Sequence, residues 1–368
     1  MGDILQAILI IGALNAVLAG LLVLAERFLV NFGECTININ QNENVTVEGG
    51  QSLLASLNSE KIFLPSACGG RGTCAYCKCE VLEGGGPVLP TEETLLTSGD
   101  IDGGLRLACQ LKVKNDIAIR IPDELFNIKE FSAEVSEIRD LTYDIKLLRL
   151  KLAEPFEINF TPGQYVQLQS EPYEGVRERV SRAYSIASAA GEKGMIDLMV
   201  RLVPDGICTT WVHEHLNEGD TVRFTGPMGD FGLRDGDGEI IMIAGGSGMA
   251  PMIPLLEEIK SRDVPRKTTY FFGAGCKKDL FYDDILEKYE KAIKHFTYVP
   301  ALSKPNDNDQ WTGATGLITE PLEAYLKESD TDRMQGYLCG SPGMIKACIK
   351  VLNKYGVDNS RIFFDPFA

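Results

Sequence analysis

Three closely spaced cysteines lie in a short loop with the sequence Cys68-Gly69-Gly70-Arg71-Gly72-Thr73-Cys74-Ala75-Tyr76-Cys77. Together with Cys109, its cysteines have the spacing C-x5-C-x2-C-x31-C. A [2Fe–2S] cluster is held by four cysteine thiolates, often in a C-x4-C-x2-C run with a distant fourth ligand. The loop glycines let the backbone turn tightly and bring N–H donors close to the cluster sulfides. The spacing therefore predicts a [2Fe–2S] site.

Two other interpretations of these cysteines stay open. A zinc site would usually have two CxxC pairs or added histidines, but the chain has only three histidines, all distant in sequence. Unligated thiols are the second alternative, whereas disulfides are disfavoured in a reducing cytoplasm. Cys79 is predicted to be a non-ligand. Four more of the ten cysteines are expected to be small buried residues: Cys35, Cys208, Cys276 and Cys348.

The composition is that of a folded protein with several domains. The chain has 368 residues, of which 44% are hydrophobic and 24% are charged. At about 100–200 residues per domain, this length predicts two or three domains. The formal net charge of −16 argues against binding to nucleic acid, because such affinity depends on a basic surface.

The N-terminal stretch from Ile4 to Ala25 contains no charged residue. As a helix it would be about 33 Å long, enough to cross a hydrocarbon core of about 30 Å. The first basic residue, Arg27, follows this stretch and orients the rest of the chain toward the cytoplasm. We therefore expect a single-pass anchor within residues 1–30, in the inner cell membrane, with the catalytic domains on the cytoplasmic side. A buried amphipathic helix is the alternative.

Three domains are predicted after the anchor. Residues 34–124 combine strands with short helices and form an α+β unit. Residues 130–233 contain repeated strands separated by turns, which predicts an antiparallel barrel. Residues 236–368 alternate strands with helices, which is typical of a parallel α/β sheet. The expected fold class is therefore multidomain, α+β and α/β.

The barrel segment contains the motif Arg182-Ala183-Tyr184-Ser185. The arginine offers a fork of donors to a pyrophosphate. The tyrosine lies on the same face of the strand and can pack against a flavin ring, whose polar atoms the serine can reach. Further on, Gly206, Thr209 and Thr210 open a helix whose N-terminus suits a phosphate. Each motif alone also fits an ordinary strand or turn, but their order favours a flavin site.

A glycine-rich turn follows the apolar strand Ile240–Ala244 and has the sequence Gly245-Gly246-Ser247-Gly248-Met249-Ala250-Pro251. Strand-to-helix turns of this kind place backbone N–H groups against a dinucleotide pyrophosphate. A second turn into a helix begins at Cys339. Near the C-terminus, Phe367 is an aromatic residue that either packs in the core or covers a flavin until nicotinamide displaces it.

In this order, the motifs resemble a ferredoxin domain fused to a ferredoxin–NADP reductase-type flavoprotein. With the N-terminal stretch, the chain resembles the family of F subunits of Na⁺-translocating NADH:quinone oxidoreductases. The resemblance implies a β-grasp [2Fe–2S] domain, an FAD-binding barrel and an NAD-binding domain. It implies hydride transfer from NADH to FAD and single-electron transfer through the cluster. Its implied partners are quinone and other membrane subunits of a respiratory complex. Sodium transport would be carried out by those subunits.

The resemblance also assigns roles to individual residues. The implied cluster ligands are Cys68, Cys74, Cys77 and Cys109. The implied catalytic residues are Ser185, Cys339 and Phe367. The implied FAD and NAD contacts are Arg182, Ala183, Tyr184, Ser185, Gly206, Thr209, Thr210, Phe367, Gly245, Gly246, Gly248, Met249 and Pro251.

The sequence departs from the family pattern in two turns, which leaves a divergent paralogue open. Gly275-Cys276 replaces Arg-Ser, and Ser341-Pro342-Gly343 replaces Pro-Pro-Met. The neighbouring Lys277 and Lys278 would suit the 2′-phosphate of NADPH, whereas the resemblance implies NADH. Two other functions also stay open: the reductase component of a multicomponent oxygenase, and a non-enzymatic, membrane-tethered iron–sulfur carrier or sensor.

Overall fold

The computed structural model describes residues 6, 9–20, 32–66, 68–122, 125–126, 128–306, 308 and 310–367. The chain forms two compact units, Met1–Ser66 with Gly70–Asn127 and Ala67–Gly69 with Ile128–Ala368. An N-terminal helix, α1, covers residues 9–20 with exposed side chains. The predicted span Ile4–Ala25 extends on both sides of α1 into residues outside the described ones. Among the described helices, none combines the length and the apolar character that crossing a membrane requires.

The first unit is built on a mixed five-stranded sheet in the order β2-β1-β5-β3-β4. Strands β1 and β5 are parallel, and the other neighbours are antiparallel. Leu53 and Leu57 of helix α2 share one buried core with Ile37 and Ile39 of β1. This sheet with a packed helix agrees with the predicted β-grasp fold. The elements are β1 (Glu34–Ile39), β2 (Glu43–Glu48), α2 (Leu53–Ser59), β3 (Lys78–Glu83), α3 (Pro90–Glu93), α4 (Ser98–Asp102), β4 (Leu105–Leu107) and β5 (Ile117–Arg120).

The second unit begins with an antiparallel six-stranded sheet in the order β10-β7-β6-β11-β8-β9. A bridge between Ile186 and Leu198 links the chain just after β9 to β10, so the two edges meet as in the predicted barrel. Apolar side chains such as Leu148, Leu168 and Phe224 fill its interior. The elements are β6 (Lys129–Asp140), β7 (Ile145–Glu154), β8 (Tyr165–Gln169), β9 (Ser181–Ser185), β10 (Met195–Arg201), α5 (Ile207–Thr210) and β11 (Thr221–Met228).

The same unit ends with a fully parallel six-stranded sheet in the order β15-β14-β13-β12-β16-β17. Its central strand β12 is buried along Ile240–Ala244, as expected for a sheet covered on both faces. The elements are β12 (Ile240–Gly245), α6 (Met249–Ser261), β13 (Thr268–Ala274), α7 (Asp283–Ala292), β14 (Phe296–Leu302), β15 (Ala314–Thr315), α8 (Thr319–Leu326), β16 (Gln335–Gly340), α9 (Pro342–Lys354) and β17 (Ile362–Pro366).

Candidate functional site

The first unit brings three of the predicted cluster cysteines together. Cys77 is buried, and Cys74 and Cys109 are partly exposed. The pKa of the Cys77 thiol is raised, first by its hydrogen bond with Cys109 and then by burial, and Cys74 acts on it in the same direction. Cys68 is also buried, and the chain around it, residues 67–69, belongs to the second compact unit.

The loop backbone suits a cluster. Gly70 and Gly72 have φ angles of 85° and 71°, a left-handed conformation that side chains other than glycine disfavour. The Gly70 N–H donates a 2.9 Å hydrogen bond to Ser66 Oγ, which ties the turn to the preceding segment. Within the described residues, no group of three His, Cys, Asp or Glu side chains has the arrangement that a single metal ion needs. Such an arrangement differs from that of a two-iron cluster, whose four cysteine ligands surround a larger group.

Strand β9 presents the predicted flavin motif with Tyr184 partly exposed and Ser185 buried. The Tyr184 hydroxyl is buried and has no hydrogen-bond partner of good geometry among the described residues. Burial, followed by the nearby Cys208 thiol, raises the pKa of Tyr184. A buried hydroxyl without a partner is costly, so a polar flavin side chain beside it would remove that cost. Arg182 donates from Nη1 to the Ser181 carbonyl at 2.7 Å.

The residues predicted to bind a phosphate at helix α5 mainly stabilise their own turn. The Thr209 hydroxyl is bonded within its own turn, to the Gly206 carbonyl at 3.1 Å and to the Val203 backbone N–H at 3.2 Å. A Cβ atom on Gly206 would lie 2.5 Å from Thr209 Oγ1, so this glycine permits the turn. Thr210 is partly exposed. The helix itself is only four residues long.

Asp365 connects the flavin motif to the parallel sheet. The Ser185 hydroxyl donates to Asp365 Oδ2 at 3.5 Å, and Asp365 is an electrostatic neighbour of the Cys339 thiol. Cys339 is fully buried, and burial first and Asp365 second raise the pKa of its thiol well above the usual value. The thiol is therefore neutral. The sequence alone gives no sign of Asp365, because only folding brings it 180 positions back along the chain to Ser185.

The C-terminal segment is fixed beside the same residues. The Phe367 backbone N–H donates to the Gly340 carbonyl at 2.9 Å. The Phe367 ring packs against the core cluster that contains Cys339 and Met249. Phe367, Ser185 and Cys339, the three predicted catalytic residues, are thus linked through Asp365 and Gly340.

A cavity of about 440 Å³ lies at the carboxyl ends of strands β12, β13 and β14. Its size is within the range of about 300–1,000 Å³ that is typical of small-molecule sites. Of the predicted NAD residues, Gly245 and Gly246 line it. Gly248, Met249 and Pro251 are buried below the turn, and a Cβ atom on Gly248 would lie 2.3 Å from the Cys339 carbonyl oxygen. These three residues therefore pack the turn against β16.

Arg201 lines the cavity and was not found from the sequence. Its Nε donates to Asp144 Oδ2 at 2.8 Å, and a Cβ atom on Gly246 would lie 3.4 Å from its Nη1. The guanidinium is thus held beside the glycine turn, with 54% of the side chain exposed. Its position suits an anionic group on that turn. An arginine at the end of a barrel strand gives no recognisable signal in a single sequence.

The domain composition agrees with this geometry. Residues 37–114 match the 2Fe-2S iron-sulfur cluster binding domain family. Residues 132–232 match the oxidoreductase FAD-binding domain family, and residues 242–350 match the oxidoreductase NAD-binding domain family.

Relatives match over nearly the whole chain. The F subunit of the Na(+)-translocating NADH-quinone reductase of Psychrobacter arcticus is 38% identical over 94% of each chain. The F subunits of the same reductase in Pseudomonas aeruginosa and Klebsiella pneumoniae are 36% and 35% identical, over 99% and 100% of this chain and the same shares of their own.

Solved structures are also similar over most of the chain. The Amycolatopsis cytochrome P450 reductase GcoB superimposes with a TM-score of 0.73 at 29% identity, over 90% of this chain and 98% of its own. The ferredoxin reductase in carbazole 1,9a-dioxygenase has a TM-score of 0.69 at 28% identity, over 91% of this chain and 98% of its own.

Proposed function

This chain belongs to the family of F subunits of Na(+)-translocating NADH-quinone reductases, and from that premise we propose which of its residues serve each cofactor. The enzyme passes electrons from NADH to FAD and on through a [2Fe–2S] cluster. When bound, FAD supplies the conversion between a two-electron hydride donor and a one-electron acceptor. The contribution of the protein is binding, orientation and the exclusion of water.

We propose that Ser185, Cys339 and Asp365 form the hydride-transfer site. The observation that carries this proposal is the hydrogen bond from Ser185 Oγ to Asp365 Oδ2, 3.5 Å long, because it joins the flavin motif to the nicotinamide end of the parallel sheet. Asp365 orients the serine hydroxyl. The Cys339 thiol is neutral and fully buried, so it adds no negative charge to the hydride-transfer site.

Phe367 covers this site as a displaceable aromatic ring. Its backbone N–H is anchored on the Gly340 carbonyl at 2.9 Å, while the ring stays partly exposed. An anchored backbone with a partly exposed ring permits the side chain to move without unfolding β17. Nicotinamide would take the place of the ring above the flavin and exclude water from the reacting atoms.

For FAD, we propose Arg182 and Tyr184 as the main side-chain contacts, with Ala183 contributing backbone groups. The fork of Arg182 suits the pyrophosphate, and the buried Tyr184 hydroxyl suits the flavin side chain. Gly206 and Thr209 shape the phosphate turn, and Thr210 contributes its partly exposed hydroxyl. For NADH, Gly245 and Gly246 cradle the pyrophosphate beside Arg201.

For the cluster, we propose Cys68, Cys74, Cys77 and Cys109 as the four ligands. A direct test replaces Cys74 with alanine in the full chain and measures iron content and the electron paramagnetic resonance signal of the reduced protein. Cys79→Ala is the matched control, because Cys79 is a buried cysteine on β3 two residues beyond Cys77. We expect loss of the signal in Cys74→Ala and its retention in Cys79→Ala. The reverse pattern would show that the ligand set is wrong.

We further propose that residues 1–30 anchor the chain in the inner cell membrane, with the three domains on the cytoplasmic side. Quinone is the terminal acceptor, reached through other membrane subunits of the complex. The stretch Ile4–Ala25 has no charged residue that could form an ion path, so sodium transport belongs to those subunits. Deletion of residues 1–30 should move the protein from the membrane pellet to the supernatant without loss of flavin reduction by NADH. Retention of the truncated chain in the pellet would contradict the anchor.

The reductase component of an oxygenase is the second candidate, because the two reductase structures cover 90% and 91% of the chain. Purification from native membranes distinguishes the two functions. Co-purification with other membrane subunits and NADH-dependent quinone reduction support the first. Recovery with an oxygenase component would support the second.

A further inference from the structure

Part of the cavity is not used by the assignments above. There it is lined by Gly275, Asp279 and Ser303, which follow β13 and β14. The strand order places β16 beside β12 and β12 beside β13. Neighbouring strands are about 4.8 Å apart, so the end of β13 lies roughly 10 Å across the sheet from Cys339 on β16.

This arrangement fixes the direction of a bound dinucleotide. The nicotinamide end belongs beside Cys339 and Ser185, and the pyrophosphate belongs on the glycine turn after β12. The adenosine half must then continue toward the turn after β13. Asp279 is the acidic side chain of that turn that lines the cavity.

The Asp279 carboxylate is held by one oxygen and left open at the other. Oδ2 accepts hydrogen bonds from the Cys276 backbone N–H at 2.8 Å and from the Cys276 thiol at 3.3 Å. Oδ1 is buried and has no hydrogen-bond partner within the described part of the chain. A buried acceptor without a partner is costly and calls for an explanation. A hydroxyl group of a ligand in the cavity would supply the missing donor.

Gly275 allows this arrangement. A Cβ atom at position 275 would lie 2.6 Å from Asp279 Oδ2, so a side chain there would push the carboxylate away. Gly275 therefore leaves room for the Asp279 carboxylate beside the cavity.

The side chains of the neighbouring Lys277 and Lys278 are exposed. Lys278 Nζ lies 4.6 Å from the centre of the Tyr143 ring. Lys277 acts electrostatically on Asp283, at the start of α7. Neither lysine is among the residues that line the cavity, so Asp279 is the charged side chain that this turn presents to it.

We propose that Asp279 makes this enzyme selective for NADH over NADPH, by accepting a hydrogen bond from the 2′-hydroxyl of the adenosine ribose and repelling a 2′-phosphate. Acidic residues at the corresponding place of dinucleotide sites bind the ribose hydroxyl, whereas arginine accommodates the phosphate. This proposal rests on the NADH site proposed above. It adds the residue that recognises the adenosine half of the bound dinucleotide.

The test measures binding of NAD⁺ and NADP⁺ to the cofactor-loaded full chain by isothermal titration calorimetry. The main variant is Asp279→Asn, which keeps the size of the side chain and removes its charge. We expect NADP⁺ to bind about tenfold more tightly and NAD⁺ several-fold more weakly, since a factor of ten corresponds to about 1.4 kcal/mol.

Asp284→Asn is the matched control. It removes the same charge from the start of the neighbouring helix, where Asp284 pairs with Lys288 in solvent, 3.4 Å away. We expect it to leave the ratio of the two affinities unchanged. An unchanged ratio in Asp279→Asn, or an equal change in both affinities, would overturn the proposal. Failure of NADH to reduce the flavin in the unmodified protein would instead overturn the proposed function.

Discussion

The hydroxyl of Ser185 donates a hydrogen bond to the carboxylate of Asp365 across 3.5 Å, although the two residues are 180 positions apart. Ser185 ends barrel strand β9, and Asp365 belongs to β17 at the edge of the parallel sheet. The contact therefore places the flavin motif and the Cys339 end of that sheet on either side of one carboxylate. Hydride transfer between two separately bound groups needs such a fixed junction.

Asp365→Asn should slow hydride transfer without preventing cofactor binding. Because an amide has no negative charge and can itself donate a hydrogen bond, it would orient the Ser185 hydroxyl less strictly. We expect the rate of flavin reduction by NADH to fall about 10²-fold. The affinity for NAD⁺ should stay within about twofold of the original value, since the nucleotide contacts lie elsewhere. Anaerobic stopped-flow absorbance and calorimetry measure the two quantities.

Asp358→Asn provides the control for that variant. Asp358 is an exposed aspartate whose carboxylate caps the turn at Ser360, with a 2.9 Å hydrogen bond from the Ser360 backbone N–H. Its replacement should leave the rate of flavin reduction unchanged. Equal rates in Asp365→Asn and Asp358→Asn would contradict the positioning role of Asp365.

The pH profile of flavin reduction tests the state of Cys339. Burial raises the pKa of its thiol well above the usual value, and Asp365 raises it further. A raised thiol pKa means that the proton is retained to higher pH, so the thiol stays neutral below about pH 9. We expect no inflection from this group between about pH 6 and pH 9. An inflection near pH 8.5 that disappears in Cys339→Ala would contradict a neutral thiol.

Gly248→Ala should damage the nucleotide turn. The added Cβ atom would lie 2.3 Å from the backbone oxygen of Cys339, so β16 or the turn must move. We expect a loss of about 1–3 kcal/mol in stability and weaker NAD⁺ binding, measured by thermal unfolding and calorimetry.

Gly343→Ala is the matched control for the turn. It makes the same chemical change near the start of helix α9, where no atom lies within 4 Å of the added carbon apart from the adjacent residues and the backbone of the same helix. Both the unfolding temperature and NAD⁺ binding should be retained. Similar losses in the two variants would show that the close approach at Gly248 is unimportant.

Glu92 forms a buried ion pair in the first unit. Its carboxylate binds the Arg106 guanidinium at 2.6 Å, with 0% and 6% of the two side chains exposed. Burial alone would raise the pKa of Glu92, but the hydrogen bonds from Arg106 and from the Leu107 and Leu89 backbone N–H groups outweigh it and lower the pKa. A lowered pKa stabilises the fold above the unfolded value of about 4.3, and this contribution is lost as the pH falls through the folded pKa.

Glu92→Gln should therefore destabilise the first unit by about 3 kcal/mol at neutral pH, because the buried Arg106 charge loses its partner. The variant should also lack the loss of stability that protonation of Glu92 causes at acidic pH. The midpoint of urea unfolding, followed by circular dichroism at several pH values, measures both effects. Glu80→Gln, which breaks the exposed pair with Arg120, should cost at most about 1 kcal/mol. Equal losses of stability in the two variants would show that burial does not strengthen the effect of the Glu92–Arg106 ion pair.

Local patterns predicted much of the fold. The apolar run Ile240–Ala244 is the central parallel strand, and Arg182–Ser185 lies on a barrel strand as expected. Periodicity, glycine turns and cysteine spacing are properties of neighbouring residues, so one sequence displays them. In β1, Glu34–Ile39, polar and apolar residues alternate, and the apolar Cys35, Ile37 and Ile39 are the buried ones.

The rest of the site depends on contacts that local patterns do not encode. Asp365 and Arg201 acquire their roles only when distant strands meet. Asp279 gives no signal of its own in the sequence, because the adjacent lysines suggest a site of the opposite charge. Thr209 is the opposite case. A threonine hydroxyl can bind a phosphate, but this one forms its hydrogen bonds within its own turn.

NADH reduces the flavin first and the cluster second, and rapid mixing with NADH under anaerobic conditions resolves this order. Flavin absorbance and the electron paramagnetic resonance signal of the cluster are followed in the original protein and in Cys74→Ala. We predict that flavin bleaching precedes the cluster signal, and that Cys74→Ala bleaches its flavin at an unchanged rate without any cluster signal. Reduction of the cluster before the flavin, or failure of Cys74→Ala to bleach a normally bound flavin, would contradict this order of electron transfer.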